Sequence, residues 1–240
     1  MIKGSQKEDM ILRIIERFRV VYAIHVAILA GLHSQTVARN LLSKYEKKGL
    51  IKSGIEGKKK AYTITKRGLS KIGITGKTYV LKGFSTYHRL CVADVACWLY
   101  EVYGISYLDL ALDQDFRLIG AEHAPDLVFG ATCVEVELTL KTTKRLYNNM
   151  DINSETYATQ IWVVPDHLHS LRRKVSAYPD TGNDNKSNII IVESIESIQH
   201  KINNLDLKNN QLRNDQSIPI FLPKYRTKNL DLLDMEVAHE

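Results

Sequence analysis

The sequence predicts a two-domain chain of mixed α+β and α/β class, with a small helical module closed by a β-hairpin ahead of a larger α-β-β-β-α-β core. Three observations predict it. Residues 1–72 carry 16 Lys/Arg against 5 Asp/Glu, whereas the rest of the chain carries 17 against 22. The apolar period is helical through the first 45 residues and becomes alternating further on. Between the two patterns, residues 73–84 (GITGKTYVLKGF) are Gly-rich and lack helical periodicity, so they serve as the linker.

A chain of 240 residues with 44% hydrophobic content can bury a core in each of two domains, which excludes disorder as its main state. The basic first part calls for a polyanion, and nucleic acid is the natural partner. No apolar run approaches the ~20 residues of a membrane span, and the opening MIKGSQKEDM lacks the apolar stretch of a signal peptide. A cytoplasmic protein without membrane insertion is therefore expected. Cys91, Cys97 and Cys133 are odd in number and have no CxxC spacing, so they read as small buried apolar residues rather than a disulfide or zinc framework.

Residues 1–72 show the pattern of a winged helix-turn-helix. Met10, Ile11, Ile14, Ile15 and Phe18 recur at helical spacing, and Tyr22 to Ala30 form a second, more apolar helix. After a turn at Gly31 to His33, Ser34 caps a third helix, in which Val37, Leu41, Leu42 and Tyr45 make the buried stripe before Gly49 ends it. Its opposite face presents Gln35, Thr36, Arg39, Asn40, Ser43 and Lys47, side chains suited to base edges and phosphates. Two short strands follow around a Gly-flanked tip carrying Lys58, Lys59 and Lys60, a wing that adds salt-dependent attraction to DNA. The alternative is a basic helix that is only a solvated face.

Residues 85–205 form the second domain. It opens with a helix over YHRLCVADVACWLYEVYG, buried on most sides. Three extended runs follow: ISYLDLALDQDFRLI, APDLVFG and TCVEVELTL, the last two joined by a tight turn at Gly130. A helix from Thr142 to Met150, a strand ATQIWVVP, a helix LHSLRRKVSAY, a strand NIIIVE and a helix IESIQHKINN complete it. Residues 206–240 form a tail of Asn-rich polar sequence with short apolar clusters.

Chemistry concentrates in Pro125-Asp126 and in Cys133-Val-Glu135-Val-Glu137-Leu-Thr139-Leu-Lys141. Alternate strand residues share a face, so Glu135, Glu137 and Thr139 line one side and Val134, Val136, Leu138 and Leu140 the other. A hairpin pivoting at Gly130 brings Asp126 across from Glu135. Carboxylates brought that close call for a neutralising cation, and Mg2+ or Mn2+ held by Asp126, Glu135 and Glu137 is the expectation. The competing reading makes Glu135 and Glu137 the solvent face of an amphipathic edge strand.

This segment, in the order helix, three strands, helix, resembles the PD-(D/E)xK nuclease superfamily, the fold of restriction endonucleases. Asp126 matches the motif aspartate and Glu135 the following acid. Glu137 stands where a lysine is expected, leaving Lys141, Lys144 or Arg145 to supply the cation. A winged helix fused to such a domain, with His88 and Asp94 on the entering helix, is similar to the replication-relaxation proteins and to the MOB-C class of plasmid relaxases, the MobC-like mobilization proteins. The resemblance covers about residues 8–200. It implies site- and strand-specific nicking of double-stranded plasmid DNA at a transfer origin, with an accessory mobilization protein as partner.

Around that centre, His88 is a candidate for proton transfer or a structural residue. Asp94 is either paired in the core or directed to the site. His123 is a less favoured ligand. Tyr147 and Tyr157 follow the acidic strand closely but read as packing residues, so no essential tyrosine is expected. A non-catalytic DNA-binding regulator with a degenerate nuclease fold and a restriction-type endonuclease are the alternatives to the nickase.

Overall fold

The computed structural model of the chain describes residues 4–118, 123–178 and 189–207. These residues form a mixed α and β protein of two compact units. The first runs to Asp109 and resumes at Ser194, and the second spans Leu110–Glu193.

In the first unit, α1 (Gly4–Phe18) leads through β1 (Val21–Tyr22) into α2 (Ala23–Leu29), all seven residues of which are buried. The third helix, α3 (Gln35–Lys47), starts where Ser34 Oγ accepts the amide of Val37 at 3.2 Å. It stops where Gly49, at φ +70°, lets the Leu50 amide reach back to the Tyr45 carbonyl at 3.0 Å. The buried stripe of α3 is Ala38, Leu42 and Tyr45; Val37 and Leu41, expected inside, are only partly buried.

Two antiparallel strands follow, β2 (Ile51–Glu56) and β3 (Lys59–Ile64), paired from Ile51↔Ile64 to Glu56↔Lys59. The register leaves Gly57-Lys58 as a two-residue turn with positive φ at Gly57, the geometry that matches strand twist. β3 is the middle strand, with β1 on its other edge. A short helix that the periodicity did not predict, α4 (Lys66–Lys71), packs so closely that a Cβ on Gly68 would lie 2.1 Å from the Leu50 carbonyl oxygen.

The long helix α5 (Gly83–Tyr103) is buried continuously from Leu90 to Leu99. It belongs to the first unit, which corrects the expected boundary at residues 73–84 and the expected second domain of 85–205. The physical reason lies in its apolar residues, which cover every side: Leu90 packs against Val20 and Ala61, with Tyr22, Tyr79 and Leu81 around them.

In the second unit, β4 (Ala111–Leu112) precedes α6 (Asp113–Leu118). Of the long first strand expected over 105–119, only Ala111 and Leu112 pair and Asp113–Leu118 is helical, residue 119 lying outside the described residues; the Leu112 amide donates to Asp115 Oδ2 at 2.8 Å as the helix begins. The hairpin β5 (Leu127–Phe129) and β6 (Thr132–Val136) turns at Gly130, φ +52°, as expected. After α7 (Thr143–Thr156), β7 (Thr159–Val164) runs parallel to β6. Then α8 (His169–Ser176) and β8 (Ile189–Ser194) complete a mixed sheet ordered β4-β5-β6-β7-β8. Leu146 and Met150 of α7, Trp162 and Val164 of β7, and Leu171 and Val175 of α8 form its core.

Ser194 caps α9 (Ile195–Asn203), which returns to the first unit and packs along α5. Of the tail, only residues 206 and 207 fall within the described residues.

Candidate nucleic-acid interface and acidic site

The outer face of α3 is polar along its length. Thr36, Arg39, Asn40, Ser43 and Lys47 are exposed and Gln35 is partly so. The Arg39 guanidinium donates to Gln35 Oε1 at 3.0 Å, one turn away, so the two side chains are already aligned on the exposed face. Beside them the hairpin is tied to α3 by Glu46, which accepts from Ser53 and from Lys60 at 2.8 Å. That bond holds the Glu46 carboxyl below its ordinary pKa and the Lys60 ammonium above its own.

The three wing lysines are therefore not equivalent, which corrects the picture of one basic tip. Lys58 alone sits in the turn. Lys60 is paired to Glu46. Lys59 lies over the Tyr22 ring, 5.4 Å from its centroid, and reaches Asn203 at 3.3 Å.

The acidic site is built on the middle strand of the second unit's sheet. Because Leu127 pairs with Val134, the next position outward sets Asp126 against Glu135. Asp126 Oδ2 accepts the Val136 amide at 2.9 Å, which fixes the aspartate at the hairpin's mouth. Glu135 and Glu137 are 7% and 6% exposed, so they are not the solvent face of an edge strand. β5 and β7 pair with the two edges of β6, and all five residues of the strand are buried, so both of its faces are covered as well.

Glu135 Oε1 faces His123 Nε2 at 2.8 Å and accepts from Asn153 Nδ2 at 3.2 Å. Burial pushes the Glu135 carboxyl above the ordinary glutamate range, and the negative charge of Asp126 adds to this, against the lowering effect of His123 and Asn153.

Glu137 is disposed differently. Its Oε1 accepts the Thr139 amide at 3.2 Å and the Thr139 hydroxyl at 2.9 Å, while its Oε2 pairs with the ammonium of Lys141. Of the three candidate cations, Lys141 is the one paired to the acidic strand; Lys144 and Arg145 are exposed at the start of α7. Both oxygens of Glu137 are thus engaged by Thr139 and Lys141, which sets it apart from the other two members of the expected trio of metal-holding carboxylates. Among the described residues, no group of three or more His, Cys, Asp and Glu converges to hold a metal.

The remaining donor set still suits an oxygen-seeking ion. Mg2+ is commonly held by one or two carboxylates together with substrate phosphates. Asp126 and Glu135 supply two, and the buried Oδ1 of Asn153 beside them has no hydrogen-bond partner among the described residues.

His88 and Asp94 lie on α5 in the first unit, where His88 is partly buried. Asp94 resolves to a core role, correcting its candidacy as a site residue: Oδ1 meets His25 Nε2 at 2.7 Å and Oδ2 accepts from Gln199 at 2.8 Å. The Tyr147 hydroxyl donates to the Lys174 carbonyl at 3.4 Å, and its ring packs edge-on against Tyr178. Burial, with Cys133 and Glu135 nearby, pushes the Tyr157 hydroxyl up to about 12. Sequence reasoning missed Asn153; the hint was a polar residue continuing the buried stripe of Leu146 and Met150 on α7.

No family model, no curated protein and no solved structure matches the chain.

Proposed function

We propose that the protein is a relaxase-type DNA endonuclease that binds double-stranded plasmid DNA at a transfer origin through its first unit and nicks one strand at the Asp126–Glu135 site. The observation that carries this reading is Glu135, a buried carboxylate in the middle strand, set by the hairpin register against Asp126. A desolvated acid beside a second acid is unfavourable without a cation, and its persistence in a central strand points to use. The sheet order, antiparallel through β4, β5 and β6 and then parallel to β7 across α7, supports the PD-(D/E)xK reading. The three helices and hairpin of the first unit support a winged helix with α3 as its recognition helix.

Asp126 and Glu135 would hold Mg2+ or Mn2+. The chemistry such an ion supplies when bound is Lewis acidity toward the scissile phosphate and a water of lowered pKa. Lys141, anchored by Glu137, sets a positive charge at the strand end, where the motif lysine of the superfamily would otherwise act. His123 orients Glu135 through their hydrogen bond. On α3, Arg39 and Gln35 read base edges while Thr36, Ser43 and Lys47 contact phosphates. An accessory mobilization protein is the expected partner. Among the described residues no helix is long and apolar enough to cross a membrane.

The test is incubation with supercoiled plasmid carrying the cognate transfer origin, with Mg2+, Mn2+ or chelator. Wild type should convert it to the open-circular form with metal only, and Asp126→Ala and Glu135→Ala should not. Linear product would indicate double-strand cleavage of the restriction type. A second reading, a non-catalytic DNA-binding regulator, is favoured by Glu137 standing in the lysine position; binding without nicking, even with the partner added, would establish it.

A further inference from the structure

The acidic site holds a buried acceptor that none of the described residues satisfies. Asn153 is 1% exposed on α7; its Nδ2 donates to Glu135 Oε1 at 3.2 Å, and its Oδ1 has no hydrogen-bond partner among the described residues. Turning the amide over does not cure this. Oδ1 would then oppose a carboxylate oxygen and Nδ2 would take the orphaned place, because an amide carries its acceptor and its donors at opposite ends. The site therefore calls for a further group, a donor or a cation, beside Asn153. Glu137 does not compete for that role, since Thr139 and Lys141 occupy its oxygens.

We infer that Asn153 Oδ1, rather than Glu137, is the third protein oxygen of the divalent-cation site begun by Asp126 and Glu135. The inference rests on the metal-site reading given above and names a ligand that reading lacks. Two carboxylates and one amide carbonyl form a hard, all-oxygen set of the kind Mg2+ and Mn2+ take. Their two negative charges match a divalent ion, while Glu137 and Lys141 neutralise each other. The position on α7 agrees: Asn153 extends the inward stripe of Leu146 and Met150, where a polar side chain needs a partner.

Mn2+ binding to the full chain, followed by electron paramagnetic resonance of free Mn2+ and by metal-induced thermal shift, tests this without any cleavage assay. Asn153→Leu, similar in volume but without the oxygen, should keep the far-ultraviolet circular dichroism of wild type and bind Mn2+ about 10–100-fold more weakly. Asn153→Asp keeps an oxygen but loses the amide donor, and should bind at least as tightly as wild type. The Asp variant decides the matter if the Leu variant does not fold. Wild-type affinity in Asn153→Leu would overturn the inference. So would a loss in Asn153→Asp equal to that in Asn153→Leu, since the amide would then act only by positioning Glu135. Absence of Mn2+ binding in wild type would instead sink the metal-site reading itself, a result visible before any Asn153 variant is made.

Discussion

His25 Nε2 lies 2.7 Å from Asp94 Oδ1, joining α2 to α5 inside the first unit, and the imidazole is fully buried. The other ring nitrogen accepts the Tyr22 amide at 3.2 Å, so the proton sits on Nε2 and is donated to the aspartate. Gln199 of α9 completes the carboxylate at 2.8 Å. Removing one member leaves buried polar partners unsatisfied, so Asp94→Ala should lose about 2–4 kcal/mol in urea denaturation. A variant as stable as wild type but unable to nick would return Asp94 to the catalytic machinery.

Arg39 is exposed and already aligned by Gln35. Arg39→Ala should weaken binding to the specific duplex by about 1–3 kcal/mol, and binding to random duplex by less. Equal losses in a gel-shift titration would show that the residue contacts only phosphate.

Lys58 and Lys60 lie two positions apart and have different duties. Lys58→Ala should lower the slope of log affinity against log salt by about 1, because a lysine at the turn is free to neutralise a phosphate. Lys60→Ala should change that slope less, as its ammonium is engaged by Glu46. Equal slopes for the two variants would argue that the Glu46 pair opens on DNA.

Burial raises the Glu135 pKa in the folded chain above its unfolded value. The ionised form is thus disfavoured by folding, a penalty that is absent below the ordinary glutamate pKa and builds as pH rises through the raised one. In chelated protein, Glu135→Gln should be more stable than wild type by about 1 kcal/mol at pH 7.5, the scale seen when a strained functional group is relieved. The difference should vanish near pH 4. A less stable variant at pH 7.5 would mean that the carboxylate is a net structural asset.

The three cysteines are buried, and burial lifts the Cys91 thiol to about 12 and the Cys97 and Cys133 thiols well above the ordinary value. A thiol reagent at pH 8 should label none of them until denaturant unfolds the chain. Rapid labelling of one thiol in native buffer would reveal local opening around it.

Much of the fold was legible because it rests on local rules. Ser34 and Gly49 marked the ends of α3, and Gly130 marked a tight turn, since caps and turns depend on residues within one turn of each other. The pairing of Asp126 with Glu135 followed from the Gly130 turn, because register in a tight hairpin is arithmetic. Over 105–118 the alternation of apolar and polar residues suggests a strand but equally permits a turn and a short helix. An all-round apolar helix shows that it is buried, not by what, so nothing in the sequence of α5 ties it to the first unit.

Spacing along the chain was enough for most of the helices, for the acidic hairpin and for the polar face of α3, though not for α4 or α6. Long-range packing settled that β6 is a central strand, that α5 and α9 belong with the N-terminal helices, and that Asp94 answers to His25. It also decided that Glu137 faces Lys141 while Asn153 faces Glu135. These outcomes depend on which surfaces, distant in sequence, exclude water from each other, and a buried carboxylate takes whichever partner that packing brings within reach.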